Sequence, residues 1–303
     1  MNSPVNVQNA TAAPSAIRPY YWSVLRELWE NRSIYIAPLI VAGVQLFGLA
    51  LSTIGIAERR HAVLLFDDPV KQRHAIEAPY DAVAMMMIFT VFIVGLFYCL
   101  DALHGERRDR SILFWKSLPV ADLTTVLSKV IVPLAILPAI AFALVVCVQL
   151  AMLLMTSANL LAHGVSPAST WTHVPMFQNW IVLLYGLIAI ALWHAPIYGW
   201  LILVSGWARR ATFLWAVLPF IVMQIFERIT FGTFYVGKLI AHRLMGFAPG
   251  AFDFMGNERA PIDSLSQLTP GRYLATPGLW IGLAFAAAFL FAAARVRRYG
   301  GPI

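Results

Sequence analysis

Six apolar runs, each long enough to cross a bilayer as a helix, constrain the fold of this 303-residue chain more than any other feature. About 20 helical residues span the hydrocarbon core, whereas the strands of a membrane barrel alternate apolar and polar residues. Only 12% of the residues are charged, against about 25% in soluble domains. The sequence therefore predicts an all-α integral membrane protein with spans at 33–57, 82–100, 126–155, 179–205, 211–236 and 277–294.

The positions of Lys and Arg predict how these spans are oriented. With the N-terminus inside, 13 of the 22 Lys and Arg residues fall in inner segments and eight in the longer outer loops. Cytoplasmic loops are enriched in Lys and Arg, so both termini are predicted to lie inside. The net charge of +7 follows from this topology, and no nucleic-acid partner is expected.

The N-terminal region divides into a tail and an amphipathic helix. Residues 1–17 carry no positive charge and no apolar core, so they are predicted to be a disordered tail and not a signal peptide; residues 18–303 form one transmembrane domain. Residues 20–32 predict a helix that lies in the inner membrane interface. Its apolar side carries Tyr21, Val24, Leu25, Leu28 and Trp29, while Ser23, Arg26, Glu27 and Glu30 face away. This helix either has a functional role at the membrane surface or only anchors the N-terminus.

The polar segment between spans two and three is the strongest candidate for a functional site. Its charged first half and bulky apolar second half predict a short helix that could insert into a groove on a partner. Pro119 then ends this helix, and Asp122 is predicted to cap span three. The candidate residues are Glu106, Arg107, Arg108, Asp109, Arg110, Ile112, Leu113, Phe114, Trp115 and Leu118. By residue type alone, a positively charged loop with an interfacial helix explains the segment equally well.

The segment Glu106–Asp122, followed by Val126-Leu-Ser-Lys129, resembles the coupling segment of bacterial type-2 ATP-binding-cassette (ABC) transporter permeases. The resemblance also covers the amphipathic N-terminal helix and the six spans. It implies an inner-membrane permease subunit of an exporter, which forms a homodimer or pairs with a second permease within the membrane lipid. A separate cytoplasmic ABC ATPase would dock on Arg107–Leu118. Trp115 departs from the small or aliphatic residue expected at its position.

Four residues inside the apolar spans are candidates for a transport-pathway or gating role: Glu227, Arg228, His194 and Pro196. Charges at this depth are costly and usually find polar partners, so Glu227 and Arg228 are expected to meet groups such as Gln149, Gln224 or a partner chain. The alternative places this pair at the outer interface, where the cost is small. Pro196 is expected to kink span four, and a lone His194 is more often a packing residue than a ligand.

No catalytic or metal-binding motif is evident, and no cofactor is expected on this chain. The stretch from Gly232 to Lys238 matches P-loop spacing, but Leu239 replaces the Ser or Thr that would hold magnesium. ATP and Mg²⁺ are therefore expected in the partner ATPase. Two other functions remain open: an ATPase-linked maturation factor, and a membrane-embedded enzyme that uses Glu227, His194 or His173.

Overall fold

The computed structural model describes residues 17–55, 58–59, 62–63, 65, 67–117, 120–173, 175–254, 262, 264–301 and 303. Its described residues are helical apart from turns and one isolated bridge between Phe252 and Leu268. Six helices within them are long and apolar enough to cross a membrane. The prediction of an all-helical chain with six spans is confirmed at this level. The predicted disordered tail falls almost wholly outside the described residues, since the first helix starts at Ile17.

Each observed span overlaps a predicted one but begins or ends at a different residue. Span one is Ser33–Ser52, span two Pro69–Asp101, span three Asp122–Ala162, span four Met176–Trp207, span five Thr212–Phe231 and span six Pro277–Tyr299. Span three combines Asp122–Ile131, a π-helical turn at Val132–Ile136, and Leu137–Ala162. The π turn lies just before Pro138, which has no N–H to continue the regular α-helical bonding.

Shorter helices connect these spans. The N-terminal helix is Ile17–Glu30, the linker helix His104–Arg108 and the surface helix Ser111–Ser117; we call Tyr235–Met245 the outer helix, after the predicted topology. A 3₁₀ turn covers Leu265–Gln267. The others are Ala168–His173, Ala248–Ala251 and Pro270–Ala275. The last two and the outer helix give the long fifth connection the helical content that its length suggested.

Span two begins 13 residues before the predicted start because a polar helical turn precedes its apolar core. Asp68 caps this helix by accepting a hydrogen bond from the Val70 N–H, at 2.9 Å, and Pro69 occupies the first turn. Proline is favoured there because the first N–H groups of a helix have no partner inside it. Pro79 lies inside the same helix.

Spans four and six form the closest helix pair. A Cβ placed on Gly199 would lie 3.2 Å from the Ala286 carbonyl oxygen, so glycine permits the two backbones to approach there. Gly278 lies beside the Trp193 ring of span four. Span six carries Gly278, Gly282 and Ala286 at four-residue spacing. These small residues pack against other helices of the same chain.

Candidate functional site

The surface helix lies at the end of the bundle that also holds the N-terminal helix and the end of span six; we call this the proximal end. The chain leaves span two through the linker helix and reverses direction at Arg110, whose backbone φ of 60° is left-handed. Ser111 then bonds back to the Glu106 carbonyl at 3.4 Å. This tight reversal places the surface helix directly against the linker helix.

Glu106 of the linker helix lies at the centre of a group of buried charges. Its side chain is 6% exposed and meets three cations: Lys129 at 3.0 Å, Arg26 at 3.2 Å and Arg297 at 3.4 Å. These come from span three, the N-terminal helix and span six. A buried carboxylate is tolerated when such partners compensate for its lost hydration. Glu106 thus holds four separate parts of the chain together.

Glu27 of the N-terminal helix occupies the second centre and is completely buried. Its carboxylate accepts from Lys129 Nζ at 2.9 Å, from Arg26 at 2.7 Å and from the Tyr98 hydroxyl at 2.8 Å. Arg297 additionally pairs with Asp122. We call the six charged residues and this tyrosine the proximal network: Arg26, Glu27, Tyr98, Glu106, Asp122, Lys129 and Arg297. It balances three cations with three carboxylates.

The charges around Glu27 also set its protonation. Burial alone would raise the pKa of the Glu27 carboxyl, but the charges of Lys129 and Arg26 and their hydrogen bonds outweigh burial and hold this pKa below its ordinary value. Glu30, one turn away and partly exposed, has a raised pKa, chiefly because of desolvation. Glu27 is therefore held in the charged form that Lys129 requires.

Two expectations about this region are corrected. The polar side of the N-terminal helix was expected to face away from its apolar contacts, yet Glu27 on that side is buried inside the protein, and Trp22 and Trp29 are exposed. Asp122 was expected to cap span three; instead Ala121 is the capping position, and the Asp122 side chain meets Arg297. In both cases a distant charged partner outweighs the local preference.

Arg107 and Lys116 fasten the linker and surface helices to other chain ends. The Arg107 guanidinium donates to the Gly206 carbonyl at 2.5 Å, where span four ends, and to the Gly301 carbonyl at 3.1 Å. Cations are favoured at such helix C-termini, where carbonyl groups lack partners. Lys116 Nζ donates to the Gly300 carbonyl at 2.6 Å. The C-terminal residues thus lie along both short helices.

The ten residues predicted for partner contact divide into two groups. Ile112 is buried, and Trp115 lies under the Arg26 guanidinium at 4.0 Å from its ring centre. The exposed group consists of Arg108, Asp109, Arg110, Leu113 and Phe114, whereas Glu106, Arg107, Ile112 and Trp115 are engaged within the chain. Leu118 lies outside the described residues. The Trp115 position is thereby explained by packing against Arg26.

At the opposite, distal end of the bundle, Glu227 and Arg228 have different surroundings. The Glu227 carboxylate accepts from Thr233 Oγ1 at 2.6 Å, from the Val236 N–H at 2.8 Å and from the Tyr235 N–H. Glu227 therefore caps the outer helix, where a negative charge is favoured. Arg228 is exposed and donates to the Gly232 carbonyl at 3.3 Å.

The expected glutamine partners of this pair are not found. Gln149 donates to the Tyr80 carbonyl at 3.0 Å and accepts from Trp180 Nε1 at 2.8 Å. Both amide atoms of Gln224 are buried without a hydrogen-bond partner in the described part of the chain. Glu227 instead uses donors from the turn and helix that follow it, which sequence reasoning did not consider.

His194 is a buried packing residue that links span four to the outer helix. Its ring nitrogens lie 2.8 Å from the Ile190 carbonyl and 3.0 Å from the Leu244 carbonyl. Pro196 is buried in a helix that continues through it to Trp207. Because His194 contacts one end of the outer helix and Glu227 the other, about 14 Å of helical rise separates their contacts, and the structure does not bring them together.

Comparisons with family models, with curated proteins and with solved structures give no match to this chain. Within the described residues, no group of three or more His, Cys, Asp or Glu side chains is placed to hold a metal ion. The proximal network and the exposed side of the surface helix are accordingly the observations on which a function is argued.

Proposed function

We propose that this chain is the transmembrane permease subunit of a bacterial ABC exporter, driven by a separate cytoplasmic ATPase that docks on the surface helix. The proximal end then faces the cytoplasm of the inner membrane, and two copies form the transport pathway. The observation that carries the proposal is the proximal network: it fixes the linker helix to several spans at once, and the partly exposed surface helix packs on this network through Trp115 and Arg26.

The connections of this short helix suit it to transmitting a mechanical load. The surface helix packs against the linker helix, so its displacement moves Glu106 of the linker helix. Glu106 in turn acts on span three through Lys129 and on span six through Arg297. Arg107 adds span four through the Gly206 carbonyl. When ATP draws two ATPase subunits together, their motion biases the bundle between inward-facing and outward-facing states. ATP and Mg²⁺ are bound by the ATPase, and this chain contributes no catalytic residue.

The exposed side of the surface helix defines the chemistry of the docking surface. Phe114 is 60% exposed and Leu113 59%, and the Arg108 side chain is 58% exposed at the preceding linker helix. Arg108 pairs with Asp109 at 3.1 Å and with Asp101 at 3.6 Å, so two apolar side chains lie beside a group of paired charges. This combination fits an apolar groove with a polar rim. Glu106, Arg107 and Trp115 position this surface from behind.

The experiment that tests the proposal is co-purification of an ATPase from native membranes. The variant Arg108→Glu/Phe114→Ala changes exposed groups only, so we expect it to fold and to lose a P-loop ATPase that the unchanged chain retains. A loss of about tenfold or more is expected, because central anchor residues of interfaces each contribute about 2 kcal/mol or more.

Arg210→Glu is the matched control, since Arg210 is an exposed arginine that follows span four. It should retain the ATPase. If no ATPase accompanies the unchanged chain, or if the Arg108→Glu/Phe114→Ala variant retains it fully, the proposed docking surface is wrong.

A further inference from the structure

A cleft lies between span five and the start of the outer helix, at the distal end of the bundle. It has a volume of about 430 Å³ and is lined by Gln224, Ile225, Arg228, Ile229 and Phe234. Ile225, Ile229 and Phe234 are 53%, 80% and 52% exposed, so the walls remain open to the surroundings. Because only a small part of span five is buried inside the chain, a membrane component can enter this cleft from the side.

The turn after span five builds this cleft. Gly232 ends the span with a left-handed φ of 66°, a conformation that glycine adopts at little cost. A side chain at Gly237 would overlap the Phe234 ring, so glycine there allows the ring to fold against the outer helix. The Glu227 carboxylate then fixes the start of the outer helix by accepting hydrogen bonds from the N–H groups of Tyr235 and Val236. The cleft is thus a defined feature of the fold.

Span five, the turn at Gly232 and the outer helix form a helical hairpin, and Arg228 has no carboxylate partner in it. Its neighbour Glu227 is the nearest carboxylate along the chain, but that carboxylate is directed to Thr233 and to the outer helix. Among the described residues, no carboxylate forms a salt bridge with Arg228. Its guanidinium donates a hydrogen bond to the Gly232 carbonyl. The cleft therefore combines apolar walls with an uncompensated cation.

The depth of Arg228 identifies the level at which an anion would sit. Arg228 is 16 residues beyond Thr212, about 24 Å along the helix axis, and the hydrocarbon core is about 30 Å thick. Its guanidinium can consequently reach the headgroup region. A soluble anion would make no use of the apolar walls, and a lipid without net charge would leave Arg228 uncompensated.

We infer that this cleft binds a membrane phospholipid with an anionic headgroup. Arg228 pairs with the phosphate, and Ile225, Ile229 and Phe234 contact an acyl chain. This site does not depend on the ATPase proposal, because it lies at the other end of the bundle and its test contains no ATPase.

The test compares two lipids with the same acyl chains, dioleoylphosphatidylglycerol and dioleoylphosphatidylcholine. Each is titrated into the purified, delipidated full-length protein, and binding is measured by native mass spectrometry. We expect tighter binding of phosphatidylglycerol, and Arg228→Gln should weaken it about fivefold while leaving phosphatidylcholine unchanged, as for one arginine near an anionic surface. Ile225→Trp, which fills the cleft, should weaken both lipids.

Lys238→Gln is the matched control, because Lys238 is an exposed cation of the outer helix that does not line the cleft. It should keep the preference for phosphatidylglycerol, as should Arg228→Lys, and melting temperatures verify that each variant is folded. Equal affinity for the two lipids, an unchanged preference in Arg228→Gln, or an equal loss in Lys238→Gln overturns the inference. Occupation of the cleft by a second copy of the chain, seen as lipid-independent protection of Ile229→Cys from labelling, overturns it as well.

Discussion

The two ends of the bundle stabilise buried carboxylates in opposite ways. At the proximal end, Glu27 meets Tyr98 and Lys129, which are 71 and 102 residues away, and Glu106 meets Arg297 across 191 residues. At the distal end, Glu227 meets Thr233, Tyr235 and Val236, which are six, eight and nine residues away. The proximal carboxylates join distant helices, whereas the distal carboxylate shapes one hairpin.

This difference separates a region that must move as a unit from one that can change locally. Buried charges strongly penalise any rearrangement that separates them from their partners. The proximal network therefore makes the N-terminal helix, the linker helix and the ends of spans three and six one body, on which the surface helix packs. The contacts of Glu227 can break locally, because its partners lie within nine residues of it. The far end of the outer helix is held separately, by His194 of span four and by the Gly278 carbonyl of span six. Under the proposed function, force enters at the proximal end.

The largest expected effect is the loss of Lys129. Lys129→Met removes one of the two cations that contact both Glu27 and Glu106, and leaves Arg26 as the other. Removing one partner of a buried ion pair costs about 3–5 kcal/mol, and the remaining Arg26 places the expected loss at the lower end of this range. The free energy of unfolding, measured by denaturant titration in mixed micelles, should fall by about this amount.

Two further variants sharpen this result. Lys116→Met makes the same substitution at an exposed lysine that contacts only carbonyl groups in the described chain, and its cost should stay below about 1 kcal/mol. The double variant Glu27→Gln/Lys129→Met removes the negative charge of Glu27 together with the lysine that pairs with it. Its loss of unfolding free energy should therefore be less than the sum of the single losses. Equal effects of Lys129→Met and Lys116→Met would show that the network does not fix the proximal end.

The spans were predictable from sequence because their signal is local. A run of apolar residues specifies a membrane helix whatever the rest of the chain does. The ends were less accurate, since the helix of span two continues past its apolar part into a polar turn. Asp68 and Pro69 carried the signal for this start, as a capping residue followed by a proline.

The proximal network was not predicted because its partners are separated by tens to hundreds of residues. Lys129 was visible as a cation inside an apolar span, and a buried cation requires an anion. Nothing local indicates that this anion is Glu27, which follows an amphipathic pattern typical of an exposed polar side. The division of the surface helix into engaged and exposed residues likewise depends on the tertiary position of Arg26.

Acid should weaken the proximal end through Glu27. The pKa of Glu27 is lower in the folded protein than in the unfolded chain, where it is about 4.3. Its stabilising contribution is therefore complete above about pH 4.3 and is lost as the pH falls through the folded-state pKa. The melting temperature of Glu27→Gln should consequently fall less than that of the unchanged protein below about pH 4.3, although it starts lower at pH 7.

Glu30→Gln provides a control of opposite sign. Because desolvation raises the pKa of Glu30 in the folded protein, its protonation favours the folded state as the pH falls. Removing it should make the protein slightly more sensitive to acid. A Glu27→Gln variant whose acid sensitivity equals that of the unchanged protein would contradict the assigned role of Glu27.

The smallest and most local effect is expected at Glu227. Glu227→Ala removes the acceptor for two N–H groups of the outer helix, and loss of a helix cap should speed hydrogen exchange at Tyr235 and Val236 by a few-fold to about tenfold. Glu227→Gln keeps one acceptor oxygen and should give an intermediate rate. Because every donor lies within nine residues of Glu227, exchange in the surface helix should remain unchanged. If it increased there too, the two ends would be coupled through the bundle, and the contrast between a long-range and a local carboxylate site would not hold.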